Sequence, residues 1–322
     1  MSQPALNHIA WSKVHPSRHR FSLAESGVDA PDLEAMGLPS RTGLPTAGYA
    51  LQPELEQILG ARWGAPGGRV LLASGGSEAN ALVFAALLGR GDEVLVESPG
   101  YEPHREVPRL FDITVRRFER PLAAAGPSLA AVVEAALAPA TRMVVLTHLH
   151  NPSGRPLTPD DARALDGMAE RRGVWLLCDE IFRDADAGPT GTFAALGPRW
   201  VATSSLTKVY GLGGLRIGWI AGGDEVLARC AEVQNGLSVT PALPSIALAL
   251  ELAPHLDTLR ARAHRMLAAN HARWNELLGR GVPFATPVPA RGTTAWALFP
   301  AVGQGDAFAT FASGRFELAV TP

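Results

Sequence analysis

The chain has 322 residues, of which 47% are hydrophobic and 19% charged, and its formal net charge is −2. These values are ordinary for a soluble globular protein, and since no long basic or acidic block occurs, nucleic acid and anionic membranes are not favoured as partners. The length exceeds the size at which one hydrophobic core usually stops growing, so we expect two domains.

The cysteines and the N-terminus bear on the cellular compartment. Cys178 and Cys230 are the only cysteines, too few for a disulfide framework. Cys178 ends the apolar run "VWLLC", which predicts a small core residue in a reducing compartment. No apolar run approaches the roughly 20 residues that span a bilayer, and residues 1–20 lack the apolar segment of a secretory signal. The sequence therefore predicts a cytoplasmic protein.

From residue 69 onward, short apolar runs alternate with helical patterns. Strands are predicted at 69–74, 93–98, 113–119, 142–148, 174–179, 200–205 and 215–222, and helices at 77–89, 128–138 and 158–172. Thr158 is a candidate N-cap for the third helix, with Pro159 at its first position and Gly173 just past its end. Alternation of this kind predicts a three-layer α/β/α domain with a mostly parallel seven-stranded sheet.

The C-terminal part has a different pattern. Residues 255–278 predict one long amphipathic helix with apolar positions at Leu256, Leu259, Ala263, Leu267 and Trp274. A tail that we expect to be rich in strands follows, including 293–300 and 315–322. We predict that this tail joins the N-terminal segment in a smaller α+β domain. Residues 1–44 and 255–322 would form that domain, and residues 45–254 the large one.

Polar segments marked by glycine or proline follow five of the predicted strands. They are "SGGSEAN" (74–80), "SPGYEPH" (98–104), "HNPSG" (150–154), "DEIFRD" (179–184) and "SSLTK" (204–208). In open α/β sheets ligands bind at the carboxyl ends of the strands. We therefore expect these five segments to converge on one rim and to contain the functional site.

Lys208 lies within "SSLTKVYGLGGLRIGW", between a strand end and a run of glycines. It is either a solvated loop lysine or a desolvated amine, whose lowered pKa would make it a nucleophile for Schiff-base chemistry. The chain has only one other lysine, Lys13, against many arginines. A lysine retained where arginine is otherwise used favours an amine that can lose its proton.

The other strand ends each allow two interpretations. Asp179 could cap the following segment or serve as counter-ion to a protonated heterocycle. Residues 75–78 open a helix and could bind an anion, although many turns use glycine and serine, and residues 151–154 could form only a turn. His148 and His150 suggest a metal pair, but no third ligand follows at a suitable spacing. We interpret them as core or rim histidines and predict no metal site.

Taken in chain order, the motifs "GGSEAN", "SPGY", "NPSG", "DEIF" and "SSLTKxxGLGGLRIG" resemble the class I/II aminotransferases. These are fold-type-I enzymes that use pyridoxal 5′-phosphate (PLP), and the resemblance spans about residues 48–220. It implies that Lys208 holds PLP as a Schiff base and that the neighbouring glycines let the backbone approach the cofactor closely.

The resemblance also implies roles for other residues. Asp179 would keep the pyridine nitrogen protonated, so that the ring acts as an electron sink. Tyr101 would stack on the ring, and Asn151 would donate to its phenolate oxygen. The phosphate would be held by Gly76, Ser77, Glu78, Ser205 and Arg216. Tyr49 resembles a tyrosine that reaches the phosphate of the neighbouring subunit, which implies a homodimer with shared active sites.

Two departures from the family pattern stand out. Phe182 replaces a tyrosine that in relatives donates to the same phenolate oxygen as the asparagine. Relatives also continue past the equivalent of residues 319–322 to a strand whose arginine binds the substrate carboxylate, and Arg315 does not match it. Either the natural protein continues beyond Pro322 or the substrate carboxylate is bound differently. We favour the first alternative, because the sheet of the small domain would otherwise lose a strand.

The predicted function is a PLP-dependent aminotransferase that moves an amino group between an amino acid and a 2-oxo acid. Lys208 would act as Schiff-base partner and then as general base and acid. One alternative is a PLP-dependent carbon–sulfur lyase, or other chemistry at the α- or β-carbon, because the same cofactor site supports it. A phosphate- or nucleotide-binding regulatory protein is a third possibility. The chain lacks G-x-x-x-x-G-K-[ST], however, and "GLGGLRIG" does not fit G-x-G-x-x-G after a strand.

Overall fold

The computed structural model describes residues 6–13, 19–43, 48–122, 126–186, 188, 191–286, 291–301 and 303–321. The strands are β1 (Phe21–Ser22), β2 (Leu71–Ala73), β3 (Glu93–Ser98), β4 (Thr114–Glu119), β5 (Thr141–Thr147), β6 (Trp175–Asp179), β7 (Trp200–Ser205), β8 (Gly218–Ala221) and β9 (Leu318–Ala319). The α-helices are α1 (Asn7–Ser12), α2 (Leu51–Trp63), α3 (Gly76–Leu87), α4 (Glu102–Glu106), α5 (Leu129–Ala136), α6 (Pro159–Arg172), α7 (Asp224–Leu237), α8 (Leu243–Leu252), α9 (Leu256–Gly279) and α10 (Gln304–Phe316).

A seven-stranded sheet forms the centre of the molecule, in the order β2-β8-β7-β6-β5-β3-β4. β8 runs antiparallel to both of its neighbours, and every other pairing in this sheet is parallel. All seven predicted strands are present, each within a few residues of its predicted limits. The mostly parallel seven-stranded sheet is thus confirmed.

Alternate residues of the strands pack against helices on opposite faces of this sheet. Val94 and Val145 face α3 and α7, whereas Leu95 and Val144 face α5 and α6. Further along that second face, Leu72 packs with α2, α8 and the start of α9. Because strands in a sheet covered on both sides bury both sets of side chains, these strands are apolar almost throughout. The three-layer arrangement matches the sequence prediction.

Helix α6 begins and ends where its capping residues predict. The Thr158 hydroxyl accepts a hydrogen bond from the Asp161 backbone N–H at 3.1 Å, and the Asp161 carboxylate accepts one from the Thr158 N–H at 3.4 Å. Gly173 ends the helix in the left-handed conformation, with φ of +66°. The capping box is a common signal for the start of a helix, and the left-handed glycine is a common signal for its end.

The long predicted helix is α9, and its apolar positions are placed as expected. Leu256, Leu259, Ala263 and Leu267 are buried, and the first three join the core that contains α2 and α8. Trp274 is partly exposed and stacks on Phe284, with ring centroids 5.8 Å apart. The division into two domains at residues 45 and 255 stays a prediction.

The C-terminal part differs from the prediction. Residues 293–300 do not form a strand; within the described residues they contribute only single bridges, to Ala285 and to Arg291. Residues 304–316, within the tail predicted to be rich in strands, form the helix α10. The predicted strand at 315–322 is reduced to β9, which pairs in parallel with β1. Threonine and aromatic residues favour a strand only where a neighbouring strand pairs with them, and 293–300 has no such continuous neighbour among the described residues. Pro322 lies outside the described residues.

Candidate active site

The polar strand ends meet at the carboxyl edge of the central sheet. In the register of the parallel strands, Asp179 of β6 lies beside Thr147 of β5 and beside Thr203 of β7. Ser205, at the end of β7, lies beside Gly218 at the start of the antiparallel β8. The N-terminus of α3 and the loop that contains Lys208 open onto the same edge, as the sequence analysis expected.

Asp179 is at the centre of a buried hydrogen-bond network. Only 3% of the residue is exposed, and its Oδ2 accepts from Asn80 Nδ2 at 2.8 Å and from His104 Nε2 at 3.0 Å. Oδ1 accepts from the Ile181 backbone N–H at 3.1 Å, which is the local turn role. Thr203 Oγ1 in turn donates to Asn80 Oδ1 at 2.6 Å. These three donors satisfy the hydrogen-bonding capacity that a buried carboxylate requires.

Asn80 and His104 are hydrogen-bond partners of Asp179 for which no role was predicted from the sequence. Both lie inside quoted motifs, at the end of "GGSEAN" and of "SPGYEPH". Asn80 is four residues after Gly76 in α3, so it lies on the helix face that looks toward the strand ends. That spacing could have predicted Asn80. His104 depends on how the loop after β3 turns into α4, and the sequence contains no comparable signal for it.

Lys208 is partly buried, and its Nζ donates to Ser26 Oγ at 2.8 Å. Burial lowers the pKa of the Lys208 amine, and the Arg216 charge adds to this effect. The carboxylates of Asp179 and Glu25 act on this pKa in the opposite direction. Of the two interpretations of Lys208, the structure favours the desolvated amine.

The start of α3 and the Arg216 side chain form a site suited to an anion. Gly75 precedes the helix with φ of +90°, and no side chain caps the first N–H groups. A Cβ added at Gly75 would lie 2.3 Å from Arg216 Nη2, so only glycine lets the guanidinium cross the helix N-terminus here. Arg216 Nη2 also donates to the Ser74 carbonyl at 3.2 Å. Free N–H groups next to a guanidinium are the donors that a phosphate requires.

The other predicted phosphate ligands differ in what they offer. Ser77 is exposed at the start of α3. The Glu78 carboxylate turns back and accepts from the Ser74 backbone N–H, so its side chain shapes the loop and does not face an anion. Ser205 is buried, and its hydroxyl accepts from the Thr207 N–H at 3.1 Å. Glu78 can therefore contribute only its backbone N–H to a phosphate.

Tyr101 contacts the Asp179 network through His104. Its ring meets His104 edge to face, with centroids 5.2 Å apart and an interplanar angle of 85°. Burial raises the pKa of the Tyr101 hydroxyl, and a hydrogen bond with Ser77 partly offsets this effect. The Tyr101 side chain thus links the residues around Asp179 to the start of α3.

Asn151, Phe182 and Tyr49 have three different environments. Asn151 is partly buried and begins the turn that the Gly154 N–H closes on the His150 carbonyl at 2.7 Å. Phe182 is 4% exposed in the turn after β6, and its ring brings no hydrogen-bonding group. Tyr49 is 64% exposed on the short 3₁₀ helix Gly48–Ala50. Among the described residues, Tyr49 takes no part in the hydrogen bonds and ring contacts that surround Asp179 and Lys208.

The two histidines considered as metal ligands are used in holding loops. His148 lies past the end of β5, and its Nδ1 accepts from the Leu157 N–H at 3.1 Å. His150 Nε2 donates to the Pro99 carbonyl at 2.9 Å, so its Nδ1 accepts from the Ser153 hydroxyl at 2.6 Å. Burial lowers the pKa of both rings. The described residues contain no group of three or more histidine, cysteine or acidic side chains that could hold a metal ion.

A lysine and an aspartate close to adjacent strand ends, beside an anion site at a helix N-terminus, are the groups that a phosphorylated carbonyl cofactor in an α/β enzyme would require. The sequence profile of the class I and II aminotransferases matches residues 40–287. The chain therefore belongs to the class I and II aminotransferase family, whose enzymes depend on PLP.

Individual relatives agree with this assignment. A protein of Mycobacterium tuberculosis named as a probable N-succinyldiaminopimelate aminotransferase is 29% identical over 63% of this chain and 55% of its own length. A capreomycidine synthase of Streptomyces vinaceus is 31% identical over 73% of this chain and 61% of its own length. The chain thus spans little more than half the length of these curated relatives.

A solved structure shows the same fold at lower sequence identity. The PLP-dependent aminotransferase from Streptococcus suis superposes with a TM-score of 0.88 at 19% identity, covering 100% of this chain and 90% of that one.

No helix in the described part of the chain is long and apolar enough to cross a membrane.

Proposed function

We propose that this chain is a PLP-dependent aminotransferase that acts on an amino acid and a 2-oxo acid. The observation that supports this most strongly is the pairing of a partly desolvated Lys208 with a buried, hydrogen-bonded Asp179 at neighbouring strand ends. When bound, PLP supplies an electron sink that withdraws charge from the substrate α-carbon. The residues around it fit that group in charge and in donor type.

Lys208 would carry out the covalent and proton-transfer steps. Because burial lowers the pKa of its amine, a larger fraction is neutral at a given pH, and only the neutral amine attacks a carbonyl or accepts a proton. The free Lys208 amine would remove the substrate α-proton and return it two atoms along, which is a 1,3-shift of the proton. A transamination requires both movements.

Asp179 would hold a proton on the pyridine nitrogen. Asn80 and His104 fix its Oδ2, so the negative charge is in place before the cofactor binds and does not have to reorganise during the reaction. Arg216 and the start of α3 would bind the phosphate, with Tyr101 on the ring and Asn151 donating to the phenolate oxygen. Phe182 offers no second donor to that oxygen.

We further propose that two copies of the chain form a dimer through a surface that includes Tyr49, Leu237 and Val239. These side chains are 64%, 67% and 50% exposed, and a 2.7 Å hydrogen bond from Thr240 to Gln52 connects the two segments that contain them. Exposed apolar groups next to one another are typical of protein interfaces. Replacing Leu237 with Asp should convert a dimer to a monomer in sedimentation velocity. A wild-type monomer that binds PLP fully would contradict the dimer.

We also propose that residues 45–254 form a large cofactor-binding domain and that residues 1–44 and 255–322 form a smaller one. The cytoplasm is the proposed compartment because both cysteines are unpaired and buried, Cys178 in the core between the sheet and α6.

A second candidate is chemistry other than transamination at the α- or β-carbon, including carbon–sulfur cleavage. It is favoured by the similarity to a protein named as a synthase and by Phe182, which alters the environment of the phenolate oxygen. The two candidates differ in their need for an acceptor. An aminotransferase stops after one turnover without a 2-oxo acid, whereas a lyase continues.

The test of the function uses purified protein loaded with PLP and a panel of amino acids labelled with ¹⁵N at the amino group. We expect the label to appear on an added 2-oxo acid, with Lys208→Ala inactive and Lys13→Ala as active as wild type. Product that forms without an acceptor would instead support the second candidate. A protein that binds no PLP at all would support the phosphate-binding alternative.

A further inference from the structure

The Lys208 amine has a hydroxyl neighbour that lies outside every strand-end motif. Its Nζ donates to Ser26 Oγ at 2.8 Å, across a sequence separation of 182 residues. Ser26 is partly buried in the N-terminal segment that precedes the large sheet. Among the described residues, this is the one hydrogen bond that the Lys208 amine makes.

Three contacts fix Ser26 relative to that amine. The Val28 N–H donates to the Lys208 carbonyl at 2.9 Å, and Thr293 Oγ1 donates to the Ser26 carbonyl at 2.7 Å. A Cβ added at Gly27 would lie 3.2 Å from the Lys208 carbonyl oxygen and 3.4 Å from its Cδ. The N-terminal backbone therefore packs along the Lys208 main chain and the stem of its side chain. Thr293, from the C-terminal part of the chain, holds the same backbone through its hydrogen bond to the Ser26 carbonyl.

The charged groups that face the amine come from three elements. Asp179 ends β6, Glu25 precedes Ser26 in the N-terminal segment, and Arg216 follows the glycine-rich loop. Phe182, in the turn after β6, adds no polar atom. The N-terminal segment thus supplies the hydroxyl that accepts from the Lys208 amine.

We propose that Ser26 is a positioning residue of this site. Its hydroxyl accepts a hydrogen bond from one N–H of the Lys208 amine and thereby orients the rest of the amine group toward the pocket. The proposal rests on the proposed role of Lys208 as the PLP lysine. A hydrogen bond from a charged donor is stronger than one from a neutral donor. The Ser26 contact therefore also stabilises the ammonium and opposes the effect of burial on its pKa.

Because the chain has only two lysines, Lys208 can be titrated individually. Full-length, cofactor-free protein is labelled with [ε-¹³C]lysine, and the two ¹H–¹³C signals are followed as the pH is raised. Lys13, which is exposed, serves as internal reference, and Lys13→Arg assigns the signals. The variants are Ser26→Ala, with Ser26→Thr as the control that keeps the hydroxyl, and Thr293→Val, with Thr293→Ser as its control.

We expect Ser26→Ala to lower the Lys208 pKa by about 1, the loss expected for one hydrogen bond to a charged group. Thr293→Val should lower it by less, because the hydroxyl stays but is held more loosely. Both controls should remain close to wild type, and the Lys13 titration should not move in any variant. An unchanged or raised Lys208 pKa in Ser26→Ala would overturn the proposal. No PLP or substrate enters this titration, so its result is independent of whether the proposed activity is found.

Discussion

Asp179 and Lys208 follow neighbouring strands of one sheet, yet they are held by different kinds of contact. Asp179 is 3% exposed and receives hydrogen bonds from Asn80, His104 and the Ile181 backbone. Lys208 is partly exposed on a glycine-rich loop, and its amine donates a single hydrogen bond, to the Ser26 hydroxyl. The chemistry explains the difference. The aspartate must stay in one place with one charge, whereas the lysine must bond to the cofactor, leave it and transfer a proton.

This comparison predicts that the aspartate end tolerates little change in charge. Asp179→Asn keeps the shape of the side chain but removes the anion that would hold a proton on the pyridine nitrogen. We expect the half-reaction with an amino acid to slow by about 10³-fold, or about 4 kcal/mol of transition-state stabilisation, while PLP still binds. Stopped-flow absorbance measures this rate directly. A variant that reacts as fast as wild type would show that Asp179 is not the pyridine partner.

Substitutions in the hydrogen-bond network around Asp179 should slow the half-reaction less than Asp179→Asn does. The effect should become smaller as the substituted residue lies further from the carboxylate. His104→Phe removes one of the three donors to the carboxylate, and we expect a roughly tenfold slower half-reaction, equivalent to about 1.4 kcal/mol. Thr203→Val acts one hydrogen bond further out, through Asn80, and should cost less than His104→Phe. The same stopped-flow assay ranks both variants. A larger effect for Thr203→Val would contradict the proposed order of the network.

In the turn after β6, Phe182→Tyr should restore the hydrogen-bond donor that the family usually has. A tyrosine hydroxyl would stabilise the phenolate oxygen, so the pH midpoint of the absorbance change of PLP on Lys208 should fall. One hydrogen bond to a charged oxygen contributes about 1.5–3 kcal/mol, which corresponds to a midpoint roughly 1–2 pH units lower. Titrating both proteins by absorbance tests this. Equal midpoints would mean that another donor already contacts that oxygen in the wild type.

The smallest predicted effect concerns the stability of the cofactor-free protein. Burial lowers the pKa of Lys208 in the folded chain, so a protonated amine destabilises the fold wherever the unfolded lysine is charged. This loss of folding stability is complete below the pKa of Lys208 in the folded chain. It disappears as the pH rises past the ordinary lysine pKa of about 10.4. Lys208→Met should therefore raise Tm by a few degrees at pH 7 and by nothing near pH 11, with Lys13→Met as control. An advantage that is constant with pH would contradict this sign.

The same contrast separates what the sequence could predict from what it could not. The seven strands were predictable because each is a short, nearly continuous apolar run, and the strand-end motifs containing Asp179 and Lys208 follow from their places in that alternation. These are local signals, each within a few residues of the strand it follows. The position of Asn80 is a borderline case, since only its spacing from Gly76 in α3 indicates the face on which it lies.

Contacts between distant segments had no such signal. Ser26 reaches Lys208 from the N-terminal segment, and no pattern in the sequence around Ser26 distinguishes it from the other serines of the chain. Residues 293–300 have the composition of a strand, but composition does not reveal whether a neighbouring strand is available. α10 includes two internal glycines, which weaken its helical signal. Tertiary packing decided each of these outcomes.

Lys208 is proposed to be the residue that binds PLP. Because the chain contains only two lysines, this can be measured directly. Protein incubated with PLP is reduced with borohydride, digested, and mapped by mass spectrometry, with Lys208→Ala treated in parallel. We expect the visible absorbance of bound PLP to vanish on reduction and one stoichiometric label to be found on the peptide containing Lys208, with none in Lys208→Ala. A label on Lys13, or PLP-dependent absorbance without any labelled lysine, would contradict the account.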